Sequence, residues 1–401
     1  MAQVDKGKSP FYPGQPVPVE LFVGRAAQID RILTRGAGQV VAGKPAAVFV
    51  QGEYGIGKSS LAAFVRSVAE QEYGLHGIYA SLGGASRLED LVPVVLQGTL
   101  DSAALHPTRS EGIRSWLAKY IGKQELFGIS LDFKALEPEV PNFSKPHGML
   151  QFLCEIRVRL QDVKGVFLVL DEINGMTADS RFSHFIKGLI EANAMLPQPL
   201  PLLLMLCGVE ERRREMIQAH PPVDRIFDVV QIDALSNGET RNFFERAFAS
   251  VQMAVDEAAM STLAYYSAGF PKIMHLVGDA AFWSDRDGLV THDDAVRALV
   301  LAADDVGKKY VDQQVYKALQ SDDYKAILKK IGEMGPSAME FEKAQVKRGL
   351  TERQARKLGN FLQRMKALNV LRSGEVRGQY VFNSRMVRLY LWLNSLKTKK
   401  A

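Results

Sequence analysis

Gly52-Glu53-Tyr54-Gly55-Ile56-Gly57-Lys58-Ser59 matches G-x-x-x-x-G-K-[ST] in full, and no other stretch constrains the fold as tightly. Ala46-Ala47-Val48-Phe49-Val50 ahead of it is a short apolar run that reads as a buried strand. Ser60-Leu61-Ala62-Ala63-Phe64-Val65 behind it opens an amphipathic helix. Glycines let the backbone fold round an anion with its N–H groups turned inward, and the helix N-terminus adds partial positive charge. The segment Gly52–Ser60 therefore reads as a loop cradling the phosphates of a nucleoside triphosphate. Lys58 is expected on the β- and γ-phosphates, and the Ser59 hydroxyl in the shell of a Mg²⁺ ion. The plain alternative is a glycine-rich turn with a chance lysine, and the strand-turn-helix context argues against it.

Hydrolysis would need a carboxylate at the end of a neighbouring strand. Gly165-Val166-Phe167-Leu168-Val169-Leu170 is a continuous apolar run ending in Asp171-Glu172. Such a run suits a parallel strand buried on both faces, with ligands gathered at its carboxyl end. Asp171 is expected to hold Mg²⁺ through water, and Glu172 to polarise the attacking water. Catalysis of this kind is mostly positioning and charge stabilisation, so few groups suffice. A surface Asp-Glu pair after a core strand is the plain alternative, and an upstream phosphate loop weighs against it.

Further apolar runs at 77–82, 202–206 and 227–232 read as strands between helical stretches at 88–105, 149–160 and 185–194. Alternating strands and helices predict an α/β fold, a P-loop NTPase parallel sheet covered on both faces. The alternation over 126–140 suggests a β-hairpin insertion. From Ser236 the pattern turns helical, opening on the capping box Ser236-x-x-Glu239 and continuing near 256–267, 271–284, 291–303 and 306–319. The expected organisation is an extended Pro- and Gly-rich arm (1–20), a nucleotide-binding α/β domain (21–235), a helical lid (236–319) and a basic winged-helix domain (320–401).

This layout resembles the AAA+ superfamily, in the branch of origin-recognition ATPases and the related STAND and archaeal-type ATPases. Leu21-Phe22-Val23-Gly24-Arg25 is similar to the F-V-G-R element of that family, which implies that Phe22, Val23 and Arg25 help to seat the adenine. Val223-Asp224-Arg225-Ile226-Phe227 resembles the segment where the family carries an arginine finger, which implies that Arg225 acts on the ATP of a neighbouring subunit. Arg212, Arg213 and Arg214 are rivals. Gly269-Phe270-Pro271-Lys272 resembles the lid motif G-x-P-[RK], which implies contact from Pro271 and Lys272 with the nucleotide. Plain readings exist for Arg25, as a helix-start charge, and for Lys272, as a solvated lysine. The chain departs from the family at 202–206, where the strand usually ends in a polar residue that orients water. Here it runs into Cys207-Gly208-Val209.

Charge separates the two ends of the chain. From Val306 onward there are 21 Lys and Arg against 8 Asp and Glu, a surplus of 13; the whole chain carries +5, so residues 1–305 carry −8. A basic segment on an acidic body points to a polyanionic partner, with a solvated lysine-rich surface as the plain alternative. Helices at 324–331, 339–348 and 351–368 and a hairpin over 370–382 read as a winged helix. On its third helix Arg353, Arg356, Lys357, Asn360 and Arg364 recur at i, i+3, i+4, i+7 and i+11, and so share one face. Glu352 is the one acidic neighbour expected for them. Arg372 and Arg377 lie near the wing tip. These seven residues are the candidate DNA contacts, to phosphates and the major groove. A winged helix used for protein contacts is the alternative.

No apolar run approaches the roughly 20 residues that cross a bilayer, and Met1–Lys6 lacks the apolar core of a signal peptide. Cys154 and Cys207 sit in apolar segments and read as buried thiols. The expectation is a cytoplasmic, homo-oligomeric ATP- and Mg²⁺-dependent switch that hydrolyses ATP slowly and binds DNA. The alternative is a STAND-like signalling or defence ATPase whose winged helix meets a protein partner.

Overall fold

The computed structural model describes residues 6–15, 17–19, 22–104, 116–117, 145–160, 162–317, 319–335 and 338–397; the hairpin expected over 126–140 lies outside them. The chain forms two compact units, Pro16–Asp233 and a second made of Met1–Gln15 with Ala234–Ala401. The lid and winged-helix segments thus share one unit, and the first 15 residues join it rather than the sheet domain that they precede.

The first unit is a parallel sheet of β1 (Ala46–Gln51), β2 (Leu75–Ser81), β3 (Gly165–Asp171), β4 (Leu202–Gly208) and β5 (Asp228–Gln231), in the order β2-β3-β4-β1-β5. All seven residues of β3 and of β4 are buried, as continuous apolar runs in the middle of a helix-covered parallel sheet require. The helices Lys58–Tyr73, Leu91–Ala104, Pro146–Arg159, Ser180–Ala194 and Glu210–Ala219 follow the expected alternation. One core cluster contains Phe49, Leu82, Leu168, Phe182 and Leu204, with the rings of Trp116 and Phe152 stacked at 5.3 Å.

In the second unit the Ser236–Glu239 box closes as expected. Ser236 Oγ accepts from the Glu239 amide at 3.2 Å, and Glu239 Oε2 accepts from the Ser236 amide at 2.8 Å. Helices Asn237–Ala249, Glu257–Ser267, Pro271–Ser284 and His292–Val306 follow. A parallel pair, β6 (Ala254–Val255) with β7 (Leu289–Val290), joins two of their connections. The helix expected at 306–319 is a π-helical stretch, Gly307–Tyr316, continuous with the helix before it. Gly307 faces the Tyr390 ring, where a Cβ would stand 2.2 Å from ring carbons.

The basic segment has a first helix, Asp322–Gly332, and a third, Glu352–Ala367, capped by Thr351. The second is shorter than expected. Residues 340–342 form β8 (Glu340–Glu342), which pairs with the wing strand β10 (Gln379–Phe382), and only Lys343–Lys347 is helical. β9 (Leu371–Ser373) and β10 pair antiparallel, within the hairpin expected over 370–382. A final helix, Arg385–Lys397, buries Arg388, whose guanidinium donates to the carbonyls of Gly332, Gly335 and Ala338. Those carbonyls lie at and just beyond the end of the first helix, where backbone acceptors lack helical partners.

The N-terminal arm is built into the second unit. Phe11 is buried 4.9 Å from the Phe248 ring, and Lys6 pairs with buried Asp285 at 3.1 Å. The Tyr12 amide donates to Nδ1 of His275 at 3.1 Å. That bond requires a neutral imidazole, and burial lowers the His275 pKa to about 4 from an ordinary 6.5. Below pH 6.5 the unfolded chain binds a proton that the folded chain refuses. The stability is therefore complete above 6.5 and lost as the pH falls towards 4, by about 3 kcal/mol for this group. Urea unfolding followed at the second unit should weaken accordingly from pH 7 to pH 4. His275→Asn, which keeps an acceptor, should flatten that part of the profile; an unchanged profile would show that His275 does not carry it.

Candidate functional site

The phosphate loop emerges from β1 and ends on the helix Lys58–Tyr73 as the sequence implies. Gly55 and Gly57 hold φ of 75° and 93°, values that a side chain resists. At Gly52 the need for glycine is steric, since a Cβ would lie 2.5 Å from the Ile232 carbonyl oxygen. Lys58 Nζ donates to the carbonyls of Gly52 and Glu53, each at 2.8 Å, and stands 5.6 Å from the centre of the exposed Tyr54 ring. Burial lowers its pKa, and the nearby carboxylates oppose that shift. Ser60 Oγ accepts from the Val17 amide at 3.3 Å, so the segment entering this unit is pinned to the loop's helix.

The F-V-G-R element braces the loop from behind. Arg25 is buried, with φ 63°, and its guanidinium donates to the Ile56 carbonyl at 2.6 Å and the Asp233 carbonyl at 3.0 Å. Phe22 stacks on Phe64 of the loop's helix at 4.8 Å, and Val23 is half-buried beside it in sequence.

Because β4 separates β1 from β3, the carboxyl ends of the three strands come level, with Gln51 opposite Gly208 and Leu170 opposite Leu206. Cys207, near the end of β4, is close enough to Lys58 and Asp171 for both charges to act on its thiol. The Cys207 thiol is fully buried, and burial first, then Asp171, pushes its pKa up, so it is a neutral thiol. Asp171 is buried too, and its Oδ1 accepts from the Glu172 amide at 2.8 Å. Glu172 holds a left-handed φ of 55°, uncommon for a side-chain-bearing residue. Its carboxylate lies over Gly83, where a Cβ would stand 2.1 Å from Oε2.

Two contributors escaped the sequence. Tyr79 of β2 donates its hydroxyl to Asp171 Oδ2, and the Ser59 side chain interacts with the same hydroxyl. Burial and then the Asp171 charge push this phenol well above the usual tyrosine range, which makes it a standing donor. Gly83 gives Glu172 its room. The sequence signal was a tyrosine between the apolar Ile78 and Ala80, and only the strand order converts it into a neighbour of Asp171.

Ser59 and Asp171 supply the hard oxygen donors that Mg²⁺ takes, linked through one phenol, so the residues fit that ion. Among the described residues no cluster of three His, Cys, Asp or Glu forms a metal cage, so a metal here would need ligands from a bound triphosphate and water.

The three rival arginines are all paired, Arg212 with Glu215 and Arg214 with Glu210 at 2.6 Å each, and Arg213 with Asp224. Arg225, in the turn Pro221–Ile226, is exposed and makes no ion pair among the described residues. In the second unit the lid motif forms a turn in which Gly269 has φ 71° and a Cβ would meet the Leu235 carbonyl oxygen at 2.1 Å. Pro271 then starts a helix and Lys272 projects from its first turn, exposed.

On the third helix of the basic segment one expectation needs correcting. Arg353 and Lys357 are not left with Glu352 alone: both pair with Asp323 of the first helix, at 2.9 and 2.6 Å. Spacing along one helix cannot reveal a partner on another. Arg356, Arg364, Arg372 and Arg377 are exposed and make no ion pair among the described residues, and exposed Asn360 lines a cleft with Arg364 and Tyr324.

Solved structures match nearly the whole chain, two of them with the same overall course. The ORC2 protein of Aeropyrum pernix, solved as ADPNP–ADP complexes, is 12% identical over 99% of this chain and 98% of its own, with a TM-score of 0.59. A Walker-type ATPase of Pyrococcus abyssi is 15% identical over 92% of this chain and 96% of its own, with a TM-score of 0.56. The chain shares the fold of these two proteins. No protein-family model and no curated protein matches the sequence. Within this fold the phosphate loop and the acidic strand end lie at the carboxyl ends of β1 and β3, and β4, which ends in Cys207-Gly208, runs between those strands. No described helix is long and apolar enough to cross a membrane.

Proposed function

We propose that this protein is an ATP-dependent AAA+ switch that binds ATP with Mg²⁺, hydrolyses it slowly, assembles into homo-oligomers through its nucleotide site and contacts DNA through its winged helix. The convergence of Lys58, Ser59, Asp171 and Glu172 on one sheet edge carries the reading. Lys58 and the loop amides would balance the phosphates, Ser59 and Asp171 would hold the metal, and Glu172 would polarise the water that attacks the γ-phosphorus as ADP leaves. The neutral Cys207 thiol, in place of an amide or hydroxyl, supports slow turnover, since a thiol is a weak hydrogen-bonding group. Phe22 and Val23 would line the base side, with Arg25 bracing the loop, and Lys272 and Pro271 would complete the site from the lid.

Two substitutions separate binding from chemistry. Lys58→Ala should lower ATP affinity by at least tenfold, because backbone amides alone do not balance a triphosphate. Glu172→Gln should bind ATP with wild-type affinity and lose most of its turnover. Equal loss of both properties in both variants, measured by nucleotide titration and phosphate release, would reject the assignment.

Arg225 is the arginine we assign to a neighbouring subunit's ATP, because it alone of the four candidates is free of an ion pair among the described residues. Mixing Arg225→Ala with Lys58→Ala should restore part of the activity that each lacks. Full activity of Arg225→Ala alone would remove it from the site.

For DNA, the Asp323 clamp leaves Arg356 and Arg364, with Asn360 and the wing residues Arg372 and Arg377, as the surface that supports binding. The same clamp on Arg353 and Lys357 favours the second reading, a STAND-like signalling ATPase that uses this domain for protein contacts. Arg356→Glu with Arg364→Glu should weaken DNA binding and flatten log affinity against log salt by roughly two units. Wild-type protein that binds no DNA at low salt would hand the domain to the signalling reading.

A further inference from the structure

β2 brings Tyr79 to the nucleotide site. Tyr79 lies beside β3 in register with Val169, between buried Ile78 and Ala80. Its ring is held under the Arg66 guanidinium, 5.8 Å from the ring centre. Its hydroxyl meets Asp171 Oδ2 on one side and the Ser59 side chain on the other. A carboxylate turns about its last bond unless both oxygens are held. The Glu172 amide holds Oδ1 at 2.8 Å, and Tyr79 holds Oδ2. Each carboxylate oxygen has two lone pairs, so the phenol leaves Oδ2 able to accept from a metal-bound water as well.

We propose that Tyr79 is a positioning residue for the metal side of the site, a phenol bridge that sets Asp171 and Ser59 in one orientation for the magnesium of a bound triphosphate. The assignment rests on the ATP reading above. Outer partners that orient metal-site groups are typically worth 10- to 100-fold in metal affinity. Tyr79→Phe removes the bridge and retains the ring, its packing and its contact with Arg66.

The experiment compares full-length Tyr79→Phe with wild type by titrating a fluorescent ATP analogue first in EDTA and then across a Mg²⁺ series. Thermal melting of the metal-free proteins serves as the check on folding. Affinity in EDTA should stay within about twofold, because the loop and Lys58 are untouched. The Mg²⁺ midpoint should rise about tenfold, and turnover should recover as Mg²⁺ is raised. A wild-type midpoint in Tyr79→Phe overturns the proposal, as does an equal loss of affinity in EDTA, which would mark general damage. Wild-type protein that binds no analogue under either condition rejects the ATP reading itself, a result distinct from both.

Discussion

The hydrogen-bond ladder joining β1, β4 and β3 is the constraint on which the candidate site depends. Three parallel strands in register from Ala46↔Leu203 to Gln51↔Gly208, and from Val166↔Leu202 to Leu170↔Leu206, must end at the same level. A parallel strand places its side chains by its neighbours' register, and a slip of one residue would turn each to the opposite face. The site therefore has no independent fold. The phosphate loop and Asp171 come to the same end of the sheet because two apolar runs share β4, and β4 is held by burial along its entire length.

Around that edge, polar groups are arranged to hold loops rather than to make isolated surface pairs. Gln51 at the end of β1 accepts from Arg213 and donates to Gln231 at the end of β5, which in turn donates to Asp233. Arg25 ties the same stretch to the phosphate loop from beneath. The loop is thus clamped at Gly52 by the Ile232 backbone and at Ile56 by a buried guanidinium. Such a loop presents its amides without first having to order itself, which lowers the entropic cost of binding an anion.

Much of this was legible in the chain. The phosphate loop, the acidic strand and the four other strands follow from apolar run length and glycine placement, which are local properties. What escaped was lateral. Tyr79 belongs to the site only because β2 lies beside β3, and Asp323 reaches Arg353 and Lys357 across a helix pair. Residues 340–342 read as the start of a helix, yet β10 offers them a partner and they become strand. The packing of the arm was hidden for a similar reason. Phe11 and Lys6 find an aromatic pocket and a buried carboxylate that lie more than 200 positions away in sequence.

Backbone strain at the acidic strand end completes the physical picture. Glu172 adopts a left-handed φ without being glycine, an arrangement that costs free energy and persists only where the surroundings impose it. Three features impose it here. The Glu172 amide is drawn to Asp171 Oδ1, the following Ile173 amide bonds the Cys207 carbonyl at 3.3 Å, and the carboxylate fits over Gly83 because no Cβ is there. An extended Glu172 would break the first bond and turn its carboxylate away from the sheet edge. The left-handed backbone and the bare surface of Gly83 together hold the Glu172 carboxylate at the end of β3, next in the chain to buried Asp171.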